Sequence, residues 1–235
     1  MLIAGFPAAA FGTNCYVLAP ASGENCVVVD PGVEVVDQLD ALLAEHRLQP
    51  VAVLLTHGHI DHTFSVTPVC GARNIPAYIH PGDDGLLADP MSGLSAETRA
   101  MFGGRLQWTE PDDVKPMADG EVLRLAGLEL TVDHAPGHTR GSVAFRLPYD
   151  DYVPEVMVSG DLLFAGSIGR TDLPGGDHAT MLRSLAEKVL PLRDEVVVLP
   201  GHGEQTTIGR ERLTNPFLQG LEAGTTGAGA PRRGL

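Results

Sequence analysis

The chain has 235 residues, 43% of them apolar and 20% charged, with 28 glycines and 18 prolines. This length and composition suit one sizeable folded domain rich in tight turns, and exclude a disordered or collagen-like chain. Sixteen basic against thirty acidic residues leave a net charge of −14, which repels phosphate backbones and argues against nucleic-acid binding.

Three cysteines, Cys15, Cys26 and Cys70, have no metal-site spacing and read as reduced, small core residues. Met1 to Pro20 lacks the basic start of an export signal. No run approaches the roughly 18 apolar residues of a membrane span. A cytoplasmic protein without membrane contact is expected.

In chain order, Tyr16–Ala19 and Cys26–Val29 are apolar and β-rich and predict short strands, the second ending at Asp30-Pro31-Gly32. Val35, Val36, Leu39, Leu42 and Leu43 recur at helical spacing and predict a helix over 35–46. Val51–Leu55 reads as a buried strand, and the polar cluster Thr56–His62 follows its C-terminal end. Open α/β folds place ligands at such a strand end. A helix over 63–71 and a strand over 77–79 come next. Glycines and prolines break any long pattern in 81–117, which predicts short helices and loops inserted over the site. Strands are predicted over 121–125, 128–132, 142–147, 156–159 and 196–199. A helix over 177–189 is predicted with Asp177 as its N-cap. Each half thus has paired strands, a helix and a strand that ends near a histidine. Residues 1–222 are expected to form one domain and 223–235 a disordered tail.

The chemistry concentrates in Thr56-His57-Gly58-His59-Ile60-Asp61-His62. A chance match to H-x-H-x-D-H in this composition is roughly one in a thousand, so the cluster reads as a ligand set. Imidazole and carboxylate suit zinc, iron or manganese. In an extended segment His57 and His59 point the same way and can face one ion. Asp61 and His62, at a turn into a helix, can face a second. Further donors follow strand ends: His138 in Pro136-Gly137-His138, Asp161 in Ser159-Gly160-Asp161, and His202 in Pro200-Gly201-His202. The glycine before each permits close approach to a crowded centre. Only a carboxylate can bridge two ions, which makes Asp161 the natural bridge.

These motifs, from Asp30 to Leu218, resemble the metallo-β-lactamase superfamily and, within it, the glyoxalase II-like (hydroxyacylglutathione hydrolase-like) enzymes. The resemblance implies an α/β fold, the four-layered αββα sandwich, with two divalent ions at one edge, zinc first and iron or manganese as alternatives. It implies one site of His57, His59 and His138, a second of Asp61, His62 and His202, and Asp161 between them. Asp30 matches a residue that supports the site from behind. Gly166–Asp172 resembles the segment in which a basic residue, here Arg170, touches the thiol. Thr214-Asn215-Pro216-Phe217-Leu218 resembles the C-terminal signature of glyoxalase II.

The implied reaction is hydrolysis of a small-thiol thioester, such as S-lactoylglutathione, by a hydroxide shared between the metals, with Asp61 orienting it. The alternative in the same superfamily is a mononuclear-iron persulfide dioxygenase. Lactamases commonly carry cysteine where Asp161 stands, which argues against antibiotic hydrolysis. Full-length glyoxalase II has a helical domain after the last metal histidine, and few residues follow His202 here, so glutathione recognition is expected to differ. Only Lys115 and Lys188 are lysines, an arginine bias that hints at a GC-rich genome and a thiol such as mycothiol.

The other histidines read as structural. His46 sits at a helix end, His80 and His134 pack near strand ends, and His178 follows the Asp177 cap.

Overall fold

The computed structural model describes residues 1–102, 108–150 and 152–222. The tail expected over 223–235 lies outside the described residues. Two six-stranded sheets face each other. The first runs β1 (Leu2–Pro7), β2 (Asn14–Ala19), β3 (Asn25–Val29), β4 (Gln49–Leu54), β5 (Ala77–Ile79) and β6 (Val114–Pro116) in spatial order. Its β3–β6 portion is parallel. The second runs β12 (Thr206–Thr207), β11 (Val197–Pro200), β10 (Glu155–Gly160), β9 (Val143–Pro148), β8 (Leu128–His134) and β7 (Val122–Leu125). Within it only β10 and β11 pair in parallel.

Helices α1 (Val36–His46), α2 (Ile60–Thr63) and α3 (Val66–Arg73) follow strands of the first sheet. The segment 81–117 contains α4 (Asp84–Ala88) and α5 (Ala96–Phe102), each preceded by a 3₁₀ turn. Helices α6 (His178–Ser184) and α7 (Ile208–Thr214) belong to the second half.

Strand alternation explains the layers. In β3, Val27 and Val29 face the second sheet while Val28 packs on the helical side with Leu39, Val66 and Val69. In β9 and β10, Phe145, Val156 and Val158 face the first sheet, while Ala144 and Met157 pack with Met181, Leu185 and Ile208. Both faces of both sheets are therefore buried, as near-continuous apolar runs require. The result is the four-layered αββα sandwich.

The structure departs from the sequence expectation in places. Val114–Pro116, inside the segment expected to hold only helices and loops, extends the first sheet as its edge strand, where Pro116 is tolerated. The helix expected over 63–71 is two pieces broken near Ser65. The helix expected over 177–189 is capped by Asp177, whose carboxylate accepts from the Thr180 amide at 2.7 Å, but it widens into a π-turn over Leu185–Val189. All three cysteines are free and buried. Among the described residues no helix is long and apolar enough to cross a membrane.

Phe145 is fully buried between the sheets. Phe145→Ala is expected to destabilise the fold by about 3–5 kcal/mol, read as a lower midpoint in urea unfolding.

Candidate metal centre

The side chains converge because their strands end at one edge. β3 and β4 run in parallel and deliver Asp30 and the 56–62 segment; β10 and β11 run in parallel and deliver Asp161 and His202. β8, antiparallel to β9 as β10 is, delivers His138 to the same edge. His59 is extended and precedes the first turn of α2, so His59 projects from extended backbone and Asp61 and His62 from a helix start.

Three groups place their donor atoms within 4.8 Å of one another: His57, His59 and His138; His57, His62 and Asp161; Asp61, His62 and His202. His138 Nε2 lies 2.9 Å from His59 Nδ1 and 3.2 Å from His57 Nε2. His62 Nε2 and His202 Nε2 are 3.3 Å apart, and His202 Nε2 is 3.2 Å from Asp61 Oδ2. Asp161 lies between, with Oδ1 3.3 Å from His62 Nε2 and Oδ2 3.4 Å from His138 Nε2.

The outward faces of these rings set their tautomers. His138 Nδ1 donates to the Arg170 carbonyl at 2.7 Å, and a carbonyl can only accept. His62 Nδ1 donates to Asp30 Oδ2 at 2.9 Å. The Thr56 hydroxyl spends its proton on Asp30 Oδ2 at 2.6 Å, so His57 Nδ1 donates to that hydroxyl at 3.1 Å. The inward Nε2 atoms of His57 and His138 therefore present lone pairs to each other. His59 turns Nδ1 inward instead, and its Nε2 is buried without a hydrogen-bond partner, as is Asp161 Oδ1. Facing lone pairs beside a buried, unpartnered carboxylate oxygen are the donor chemistry that divalent cations satisfy, so the residues fit the two ions the resemblance implies.

The electrostatics differ between the groups. Burial pushes His59 down to about 3, with neighbouring His138 adding to the shift, and burial and then His62 hold His57 well below the usual histidine range. At His62 burial also opposes the charge, but Asp61, Asp161 and Asp30 outweigh it and hold the pKa well above the usual value. For Asp61 and Asp161 burial favours the neutral form, and His62 leads the charges that pull both below the usual carboxylate range.

Several supports were not legible as motifs. Asp83, buried after β5, accepts from the Gly58 amide at 2.8 Å, the Thr139 hydroxyl at 2.6 Å and the Gly141 amide at 2.7 Å. It joins the loop carrying His57 and His59 to the loop carrying His138. Its place beyond the C-terminal end of a parallel strand was the available signal. Thr13 donates to Asp61 Oδ2 at 3.1 Å and bridges to His202. Glu211, fully buried, accepts from Thr206, the Gly166 amide and Asn215, and Asn215 also donates to the Ser167 carbonyl. The C-terminal Thr214–Leu218 motif therefore braces the turn after Asp161. Gly201 is required by crowding, since a Cβ there would lie 2.3 Å from Asp161 Oδ1.

A cavity of about 490 Å³ opens over the centre, lined by His59, Asp61, His138, Asp161 and His202 at its base. Residues 94, 95 and 98 of the 81–117 segment form part of its wall. Arg170 also lines it, with a 60% exposed side chain whose Nε and Nη2 each donate to Asp172 at 2.7 Å. His80 and His134 stack on each other at 3.8 Å, away from this cavity.

Residues 8–202 match the family model of the metallo-beta-lactamase superfamily. The chain belongs to that superfamily. It is 34% identical to the hydroxyacylglutathione hydrolase GloC of Haemophilus influenzae, over 90% of this chain and 95% of that protein. Among solved structures it is similar to the BLEG-1 B3 metallo-β-lactamase, with a TM-score of 0.81 and 37% identity over 93% of this chain and all of that one. It is likewise similar to TTHA1623, solved in a di-iron-bound form, with a TM-score of 0.74 and 40% identity over 92% of this chain and all of that one.

Two outcomes are expected. Because burial keeps His57 and His59 neutral near pH 7 while Asp61, Asp161 and Asp30 hold a proton on His62, an ion entering among His57, His59 and His138 should release fewer protons than the second, at Asp61, His62 and His202, which displaces at least the His62 proton. Affinity for the second ion therefore falls as pH falls. Calorimetric metal titration in buffers of different ionisation enthalpy measures this, and equal proton release at both steps would contradict it. Asp83→Asn should lower stability by about 1–3 kcal/mol and weaken metal retention about tenfold to a hundredfold, read by unfolding and by competition with a chelator.

Proposed function

We propose that the protein is a binuclear metallo-hydrolase that cleaves the thioester of a small thiol, a substrate of the S-lactoylglutathione kind. The observation that carries this reading is the make-up of the cavity. Apart from the candidate ligands, Arg170 is the only titratable side chain among the described residues that line it. No group stands ready to protonate a leaving group, which favours one that departs as an anion. A thiolate, with a solution pKa of about 8.5, does so. The likeness to GloC supports the same chemistry.

In this reading His57, His59 and His138 would hold one ion and Asp61, His62 and His202 the other, with Asp161 placed to serve both. Such ions supply Lewis acidity, making water a nucleophile near neutral pH and polarising a carbonyl. Asp30, Thr56 and the Arg170 carbonyl keep the imidazole protons on the outer nitrogens. Asp61, held by Thr13, lines the cavity, where it would orient the attacking water. Water oxygen adds to the acyl carbon, the C–S bond breaks, and the products are a carboxylic acid and the free thiol. The His/Asp set serves zinc, iron or manganese; the di-iron form of TTHA1623 favours testing iron beside zinc. A small-molecule substrate, not a nucleic acid, accords with the net charge of −14. We assign the thiol to no one compound; glutathione and mycothiol esters are both candidates.

A second reading, opening of a β-lactam amide, is favoured by the likeness to BLEG-1, whatever the residue at position 161. The departing amide nitrogen needs a proton, and the cavity supplies no evident donor for it.

Metal-loaded protein is expected to release free thiol from S-lactoylglutathione without oxygen uptake. Chelation or Asp161→Ala should reduce that rate by more than about a hundredfold. Oxygen uptake on a thiol persulfide in place of thiol release would establish the mononuclear-iron alternative. Faster opening of a chromogenic cephalosporin than of any thioester would establish the lactamase reading.

A further inference from the structure

Above the candidate ligands the cavity is walled mainly by apolar side chains, Phe11, Ile60, Leu94, Phe164, Ile168 and Leu173, with Ser95, Thr98, Ser167 and Arg170 among them. Phe11 is unusual on two counts. It is 63% exposed, and its backbone lies at φ 65°, in the left-handed region that disfavours a bulky side chain. Neither feature helps the fold. The position is nonetheless held firmly. The Ala8 amide donates to the Thr13 carbonyl at 2.8 Å and closes the loop, and Thr13 is tied to Asp61 and bridges to His202. An exposed aromatic kept in an unfavourable conformation at the mouth of a site points to a ligand contact.

Charge narrows the ligand. Apart from the candidate imidazoles, Arg170 is the only basic side chain among the described residues that line the cavity, and its charge is paired with Asp172 through two of its five N–H donors. The six apolar side chains therefore form the part of the wall that suits an uncharged, apolar group. Small biological thiols such as glutathione are polar and charged, so the apolar part of a thioester that fits these walls is its acyl group.

Resting on the thioester hydrolase reading above, we infer that the preferred substrates carry an apolar acyl group longer than acetyl or lactoyl, and that Phe11 is the specificity-determining residue that covers it. Hydrolysis is unchanged in kind: water adds, the C–S bond breaks, and a longer carboxylic acid leaves with the thiol.

The test is a series of acetyl, butanoyl and hexanoyl thioesters, each made with glutathione and with mycothiol, assayed with the metal-loaded protein and with Phe11→Gly. In the unaltered protein kcat/KM should rise about twofold to fourfold per methylene, the gain expected from partial to full burial of each. Glycine suits the left-handed backbone, so Phe11→Gly should fold with a higher Tm while its acyl-length dependence flattens. Thioester cleavage with a flat or falling series overturns the acyl inference and leaves the hydrolase reading standing. An undiminished slope in a folded Phe11→Gly overturns the role of Phe11. Cleavage of no thioester by fully metal-loaded protein overturns the hydrolase reading and the inference with it.

Discussion

The structure depends on holding mutually repelling donors together. Imidazole nitrogens approach within 2.9–3.3 Å of one another, with carboxylate oxygens among them, in a largely buried space. Lone pairs do not gather unaided. Three of the rings, His62, His57 and His138, are gripped from the far side, by Asp30, by Thr56 and by the Arg170 carbonyl, and the grip also decides which nitrogen carries the proton. Asp83 locks two of the ligand loops together, and Gly201 gives Asp161 the room it occupies. Preorganisation of this kind concentrates metal affinity and pKa perturbation in one place.

The αββα sandwich makes that grip rigid. Both faces of each sheet are buried, so the strand ends from which the loops spring have little freedom. Strands running in the same direction bring their C-terminal ends to one edge, and donors far apart in the chain meet there. The layer that covers the centre is of another character. It is drawn from the 8–13 loop, the turn after Asp161 and part of the 81–117 segment, which are loops, turns and short helices fastened to the centre by side chains such as Thr13, Glu211 and Asn215. The candidate ligands thus spring from the ends of the sandwich's strands, and the cavity over them is walled largely by its covering.

Much of this was legible in the sequence, for local reasons. The 57–62 cluster places its donors by backbone geometry alone, since alternate residues of an extended segment face one way and the following turn redirects the next two. Buried strands such as β4, β5 and β10 announce themselves by continuous apolar runs. β6, β12 and α7 were not evident because they are short and polar and exist through contacts with distant segments. Asp83 and Glu211 were silent for a related reason. A buried carboxylate that accepts only from amides, hydroxyls and a side-chain amide has no charged partner to mark it in the sequence.

The sequence by itself determined the fold class, the layering of strands and helices, and the set of residues able to bind metal, because periodicity and donor chemistry are properties of neighbouring residues. Tertiary structure alone decided which donors approach one another, which ring nitrogens face inward, and what closes over the centre. Those depend on distances between segments a hundred or more residues apart, such as the 3.3 Å between His62 and His202, which only the packing of the two sheets sets.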